Sequence, residues 1–330
     1  MKKSPGEFEL IARLCANLPL SRRTLIGPGD DCALIARGHR AQLVTIDSMV
    51  ERVHFKLEWA SPESVGGRAL TVNLSDIAAM GGVPTGCVVN LAIRPGLDAR
   101  FFDRLYAGLG RTAAAAGVDI VGGNVTRAEA LSITIALFGD AGAAVLRRDT
   151  ARPGDEIYVT GTLGDAASGL RVLSGRLRPR GATREFLIDR YRNPIARLKA
   201  GQRLTRIRPT PAAIDISDGL WQDLGHILER SGAGAEIDSA AIPLSPAYRA
   251  AVGDDAELAL GGGEDYELLF CVRPGLSGRA LTRRLGVAVH RIGKITRGNR
   301  AILLGGTGAR RRSAPRVAGW DQLRVGAPEA

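Results

Sequence analysis

Apolar residues recur at helical spacing at the start of the chain, where Phe8, Ile11, Leu14, Cys15 and Leu18 share one face of a helix over residues 6–18. The run QLVTIDSMV (42–50) then changes to a strand pattern. Ser61 followed by Pro62 is a cap and first-turn signal for a helix that runs to Met80, where Gly81 and Gly82 stop it. A strand over GCVVNLAI (86–93), a helix from Asp98 to Ala116 ended by Gly117, a short VDIVGG and a strand over LSITIALFGDA (131–141) follow. This alternation predicts an α/β or α+β layer with helices on one face of a sheet.

After Arg147 and Arg148 the segment ARPGDEIYVTGTLGDAASGL begins afresh with a Pro-Gly-Asp turn, a strand, a glycine turn and a helix. We place a boundary near residue 146, giving units 1–146 and 147–330. The second unit continues with helical segments from Glu185 to Ile207 and a strand over AAIDISD (212–218). A helix over GLWQDLGHILERSG ended by Gly232, a strand over EDYELLFCV (264–272), and short strands with basic loops complete it. No short tandem repeat or low-complexity segment interrupts the pattern.

With 330 residues, 45% hydrophobic and 24% charged, the composition is that of a two-domain globular protein and excludes a disordered chain or a disulfide scaffold. No apolar run reaches the roughly 18 residues of a membrane helix, and Glu7 and Glu9 stand where a signal peptide would be apolar. Cys15, Cys32, Cys87 and Cys271 form no CxxC pair and suit a reducing compartment. A soluble, cytoplasmic protein without a membrane partner is expected. The net charge of +11 invites a nucleic-acid reading. Its arginines, however, are spread along the chain without interleaved aromatics, so a solvated surface and no nucleic-acid partner are expected.

The acidic residues are more informative. GPGDDCAL carries Asp30 and Asp31, VTIDSM carries Asp47, AAIDISDGL carries Asp215 and Asp218, and GGGEDYEL carries Glu264 and Asp265. Asp76 lies in the apolar helix TVNLSDIAAMGG, one turn from Asn73. Burying a lone carboxylate is costly, so acids grouped in glycine-rich turns and strand ends point to a hard cation. Magnesium fits: it takes oxygen ligands and bridges carboxylates to substrate phosphates. The glycines, and a helix start after Asp218 and Gly219, would offer backbone amides to phosphate oxygens. Phosphoryl transfer is the chemistry this predicts, without the GxxxxGK[ST] or GxGxxG nucleotide fingerprints. Each piece has a plainer reading: a turn at Asp30 and Asp31, a helix cap at Ser217 or Asp218, a satisfied helix acid at Asp76, packing for His54, and a core anchor at Trp320. Their joint occurrence favours a site.

Taken together, GEFELIARL, IGPGDDCALI, the stretch from TIDSMVERVHF through NLSDIAAMGGVP, GGNVTR, RPGDEIYVTGTLGDAASGL, AIDISDGLWQDLGHI and GGGEDYELLF resemble the thiamine-monophosphate kinase family, nearly end to end and in its order. That family sits in a superfamily with aminoimidazole ribonucleotide synthetase and selenophosphate synthetase. The resemblance implies a two-domain fold: an N-terminal α/β domain that dimerises through its sheet and a C-terminal α+β domain completing the active site. ATP would lie in the N-terminal half near the dimer contact. It implies ATP- and Mg2+-dependent phosphorylation of thiamine monophosphate to thiamine diphosphate by a homodimer. By position, Asp30, Thr45, Ile46 through its backbone oxygen, Asp47, Asp76, Asp215 and Asp218 would ligate metal. Gly123, Arg148 and Ser217 would contact the nucleotide, and His54, Glu264 and Trp320 the thiamine phosphate. Asn124 stands where the family has a metal-ligating aspartate, which removes a charge but keeps a carbonyl oxygen. Ile46 replaces a hydroxyl residue. No general base is expected, because the acceptor is already an oxyanion. The nearest rival is another ATP-dependent enzyme of the superfamily with a different acceptor. A selenophosphate synthetase would want a reactive Cys near the N-terminus, and Cys15 lacks the glycine-rich setting. An RNA-binding protein would leave the acidic turns unexplained.

Overall fold

The computed structural model describes residues 6–16, 18–305 and 311–312. In the first half, α1 (Glu7–Cys15) and β1 (Thr24–Ile26) precede β2 (Ala33–Arg37) and β3 (Arg40–Val50). Then come α2 (Pro62–Ala79), β4 (Val83–Ile93), α3 (Ala99–Ala116), β5 (Asp119–Arg127) and β6 (Ser132–Asp140). The strands form one sheet in the order β1-β2-β3-β6-β4-β5, antiparallel except where β4 meets β5. Leu70, Leu74 and Ile77 of α2 and Leu105 and Leu109 of α3 pack on Val89, Leu91, Ile133 and Ile135 of its inner face.

The local signals work as their chemistry predicts. Ser61 Oγ accepts from the Ser64 N–H at 3.2 Å with Pro62 in the first turn of α2, and Asp98 Oδ1 accepts from the Phe101 N–H at 2.9 Å to open α3. Gly66 and Gly108 let the two helices touch: a Cβ on Gly66 would lie 2.0 Å from Leu105 O, and one on Gly108 1.9 Å from Glu63 O.

The second half begins with a 3-10 turn at Arg148–Thr150. Next come β7 (Glu156–Thr160), α4 (Asp165–Leu173), α5 (Gly181–Arg192), α6 (Leu198–Leu204), β8 (Ala212–Asp215), α7 (Leu220–Ser231) and β9 (Gly234–Asp238). They are followed by α8 (Pro246–Val252), α9 (Glu257–Gly261), β10 (Leu268–Val272), α10 (Gly278–Leu285), β11 (Val289–Thr296), β12 (Ala301–Leu304) and β13 (Arg311–Arg312). The second sheet runs β13-β12-β9-β11-β7-β10-β8. The far end of α2 joins the halves, since Ala78 and Ala79 share a core with Tyr158, Leu204 and Phe270.

Three segments differ from the sequence pattern. β5 is nine residues long rather than a short VDIVGG, because it pairs in parallel with β4 along Gly86–Ile93. The helical stretch 185–207 is two helices, broken where Pro194 follows the end of α5. The strands expected over 212–218 and 264–272 stop at Asp215 and start at Leu268. Beyond the ladder the two loops pair irregularly: Glu264 N–H donates to Ser217 O at 2.7 Å and Tyr266 N–H to Ile216 O at 2.8 Å. Glu264 and Tyr266 take left-handed φ values of 65° and 50° to do so.

Candidate active site

Asp31 precedes β2, Asp76 lies in α2 and Asp215 ends β8, yet one carboxylate oxygen from each lies within 4.8 Å of the others. Both domains therefore supply this cluster. Its first neighbours are hydroxyls and one guanidinium. Thr45 Oγ1 donates to Asp76 Oδ2 at 2.5 Å, and Ser75 Oγ donates to Asp215 Oδ2 at 2.6 Å. Arg148 Nη2 donates to Asp31 Oδ1 at 2.8 Å, and the Arg148 backbone N–H donates to Asp30 Oδ1 at 3.2 Å. The Asp47 N–H donates to Asn73 Oδ1 at 3.1 Å, which anchors β3 on α2.

Burial, followed by repulsion from the other acids, raises Asp76 and Asp215 well above the usual carboxylate range. Burial and then Asp31 bring Asp30 to about 6, while burial, partly offset by a hydrogen bond with Asp76, brings Asp47 to about 6. Asp218 reaches about 7 through burial and the nearby charges of Glu7, Glu264 and Asp47. Arg148 offsets only part of this burial and mutual repulsion, so a further positive charge among these carboxylates would lower their pKa values. The donor set is hard oxygen throughout, and it fits a divalent cation such as magnesium.

The loop after β8 is held from within. Asp223 Oδ2 accepts the backbone N–H groups of Ser217, Asp218 and Gly219 at 3.1, 3.2 and 3.1 Å. The amides expected to face phosphate at this helix start are therefore taken by a buried side chain of α7 itself.

A cleft of about 640 Å³ opens from the cluster. Among its lining residues are Asp47, His54, Asp76, Asp215, Ser217, Asp218 and Glu264, gathered from five sequence segments. His54 Nδ1 accepts from the Val50 N–H at 3.0 Å, which sets the ring's tautomer. Other expected residues are not among those lining the cleft. Thr45 is buried against Asp76, and Asp30 and Arg148 sit together behind Asp31. Ile46 points to the opposite face of the sheet and is 65% exposed. Gly123 and Asn124 lie on β5, three strands from β3 and roughly 14 Å from Asp47. A Cβ at Gly123 would strike Val89 O at 1.9 Å, so the strand pairing alone requires glycine there. Asn124 Nδ2 donates to Asn90 Oδ1 at 2.9 Å on the outer face. Trp320 lies outside the described residues.

Comparison with known proteins decides the family. Residues 29–141 match the AIR synthase related protein N-terminal domain, and residues 152–305 match the C-terminal domain. The thiamine-monophosphate kinase of Salmonella typhimurium is 44% identical over 292 residues, 85% of this chain and 86% of its own. The Escherichia coli K12 enzyme of that name is 40% identical over 88% of this chain and 90% of its own. The chain belongs to the thiamine-monophosphate kinase family. The fold agrees: the structure of AaThiL complexed with AMPPCP and TMP superposes with a TM-score of 0.82, at 32% identity and over 96% of each chain.

Within this thiamine-monophosphate kinase family member, sequence reasoning passed over Asp223 and Arg68, and it marked Asp31 as one of the acids while the resemblance gave the metal role to Asp30. Asp31, rather than Asp30, completes the close cluster, and adjacency in GPGDDC gave no way to choose between them. Asp223 was legible: it falls beside Leu220, Leu224 and Ile227 on the buried stripe of α7, where a charge needs a reason. Arg68 was legible in the same way, as a cation inside the apolar run VGGRALTVNL. It is buried and 2.5 Å from Glu264. Burial alone would lower its pKa, but Glu264 together with Tyr191 and Tyr266 more than offsets this and keeps it charged.

Proposed function

We propose that the protein transfers the γ-phosphoryl group of ATP to thiamine monophosphate, giving thiamine diphosphate and ADP. One observation carries this reading: the Asp31–Asp76–Asp215 cluster opens into a cleft that also holds His54 and Glu264. The bond from the γ-phosphorus to the β,γ-bridging oxygen breaks as an oxygen of the vitamin's phosphate bonds to that phosphorus. The acceptor is already an oxyanion, so positioning and charge neutralisation suffice without a general base. Asp31, Asp47, Asp76, Asp215 and Asp218, with Asp30 behind them, are the residues that would hold Mg2+. When bound, the metal neutralises charge on the transferring phosphoryl group.

The chain's own residues do the rest. Thr45 and Ser75 aim the Asp76 and Asp215 carboxylates by hydrogen bonds. Arg148 keeps Asp30 and Asp31 in place and supplies positive charge for nucleotide phosphates. Ser217 contacts the nucleotide from the loop fixed by Asp223, and His54 and Glu264, with Trp320, hold the thiamine phosphate. The unit up to residue 146 carries nucleotide, metal and the dimer contact, and the unit from 147 completes the site. The enzyme works in the cytoplasm, and its positive charge is a solvated arginine surface rather than a nucleic-acid footprint.

Two copies associate through the first sheet. Its outer face carries Ile46, and its edge strand carries Val121 and Val125, each at least 65% exposed. A dimer covers this apolar surface. In one chain Asn124 is on the wrong face to join Asp47, so any metal contact by Asn124 is made toward a second copy. The test of the reading is acceptor choice: purified protein with Mg-ATP should form thiamine diphosphate from thiamine monophosphate and leave thiamine unchanged. Turnover of thiamine in preference to its phosphate would contradict it.

A further inference from the structure

Arg68 is carried by α2 into the wall of the cleft, with 4% of its surface exposed. Its guanidinium meets partners from both domains. Nη2 lies 2.5 Å from Glu264 Oε2, and Nη1 donates to His54 O at 3.4 Å. Its Cζ lies over the Tyr191 ring, 4.3 Å from the ring centroid. The Tyr191 hydroxyl donates to the same His54 carbonyl at 3.0 Å. One planar cation therefore ties together the turn bearing His54, helix α5 and the loop bearing Glu264.

Stability does not account for this cation. Burying a guanidinium is costly unless every donor is satisfied, and Arg68 Nε has no hydrogen-bond partner among the described residues. An apolar side chain would occupy the same place on α2 more cheaply. What the guanidinium does provide is direction. The backbone of Glu264 is set by its N–H bond to Ser217 O at 2.7 Å and by a left-handed φ of 65°. Its carboxylate is met by the Arg68 guanidinium, as an ion pair, and by Tyr266.

We propose that Arg68 is a positioning residue for the phosphate acceptor. From one buried fork it fixes the Glu264 carboxylate and the His54 turn relative to each other, and so sets the width and charge of the acceptor end of the cleft. The inference rests on the assignment of His54 and Glu264 to thiamine monophosphate. It is specific to the acceptor, because the fork reaches neither Asp31 nor Arg148. Lysine is not equivalent here: an ammonium keeps the charge opposite Glu264 but cannot also stack on Tyr191 and reach His54 O as a planar fork.

The experiment measures the two Michaelis constants separately in R68M, R68K and each combined with Glu264→Ala. R68M should raise the KM for thiamine monophosphate about 30-fold or more, and change the KM for ATP by less than about threefold. R68K should recover part of that loss, and it stands in for R68M should the latter not fold. In the Glu264→Ala background R68M should add little, because its target is already gone. An unchanged acceptor KM, an equal rise for ATP, or full additivity with Glu264→Ala would overturn the proposal. Failure of the wild-type protein to use thiamine monophosphate would instead refute the proposed function, and the crystal structure of R68K then decides the positioning role. A turned Glu264 side chain or a shifted 262–266 loop supports it; an unmoved Glu264 overturns it.

Discussion

Asp223 gathers three backbone N–H groups on one oxygen, and without it those groups would be left unpaired in the loop that leads into α7. A lost partner of this kind costs about 1–3 kcal/mol per stranded group. Asp223→Ala is therefore expected to destabilise the protein by about 3 kcal/mol in urea unfolding and to raise the KM for ATP through a loosened Ser217. Asp223→Asn, which keeps an acceptor oxygen, should retain much of both. Equal behaviour of the two variants would contradict the role assigned to the carboxylate. The same residue shows what a sequence reveals at this scale. A charge on an apolar stripe announces that something holds it, but its partners here are backbone amides, which carry no residue signature. Asp30 and Asp31 show the reverse: the motif marks both, and only the turn into β2 decides which one meets Asp76.

Helix α2 is the element on which the site depends, being buried along most of its length and carrying Arg68, Asn73, Ser75 and Asp76 to four different partners. Its ends were legible from Ser61, Pro62 and the Gly81–Gly82 stop, because capping is local chemistry. Its neighbours were not. The contact with α3 rests on two glycines that read in sequence only as weak helix formers. Gly108→Ala would put a Cβ 1.9 Å from Glu63 O and should cost about 1–3 kcal/mol, with turnover falling because α2 must shift. A variant of wild-type stability would show that the two helices can separate freely. The sequence pattern reads residues 216–218 and 264–267 as strand, where the structure has loops. The left-handed residues Glu264 and Tyr266 end the ladder and turn those loops toward the cleft, and no periodicity encodes that.

For the whole molecule, the acids that make the site also make the metal-free protein sensitive to pH. Asp30 and Asp47 at about 6, Asp218 at about 7 and Asp265 at about 8 all sit above the unfolded value, chiefly through burial. Each binds its proton more tightly when folded. The stability they contribute is present at about pH 4 and is lost as pH rises through those values. His226 and His290, lowered by burial, act in the opposite sense: the stability they contribute is present above the ordinary imidazole value and is lost as pH falls through their lowered values. Magnesium should therefore raise the melting temperature more at pH 8 than at pH 5, where its ligands are protonated. An increment independent of pH would contradict the carboxylate cluster as the metal site. The proposed dimer makes a further demand: Ile46→Arg, on the open face of the first sheet, should turn a dimer into a monomer in light scattering, and an unchanged mass would place the contact elsewhere.

The central claim is that carboxylates from both domains serve one phosphoryl transfer to a phosphorylated vitamin. Its most direct test is the product ratio from ATP and thiamine monophosphate, followed by 31P NMR with magnesium and again with the metal chelated. ADP and thiamine diphosphate should appear one for one with magnesium, and neither should appear without it or with Asp76→Asn. ADP formed without thiamine diphosphate, or product formed by Asp76→Asn at the wild-type rate, would contradict the account.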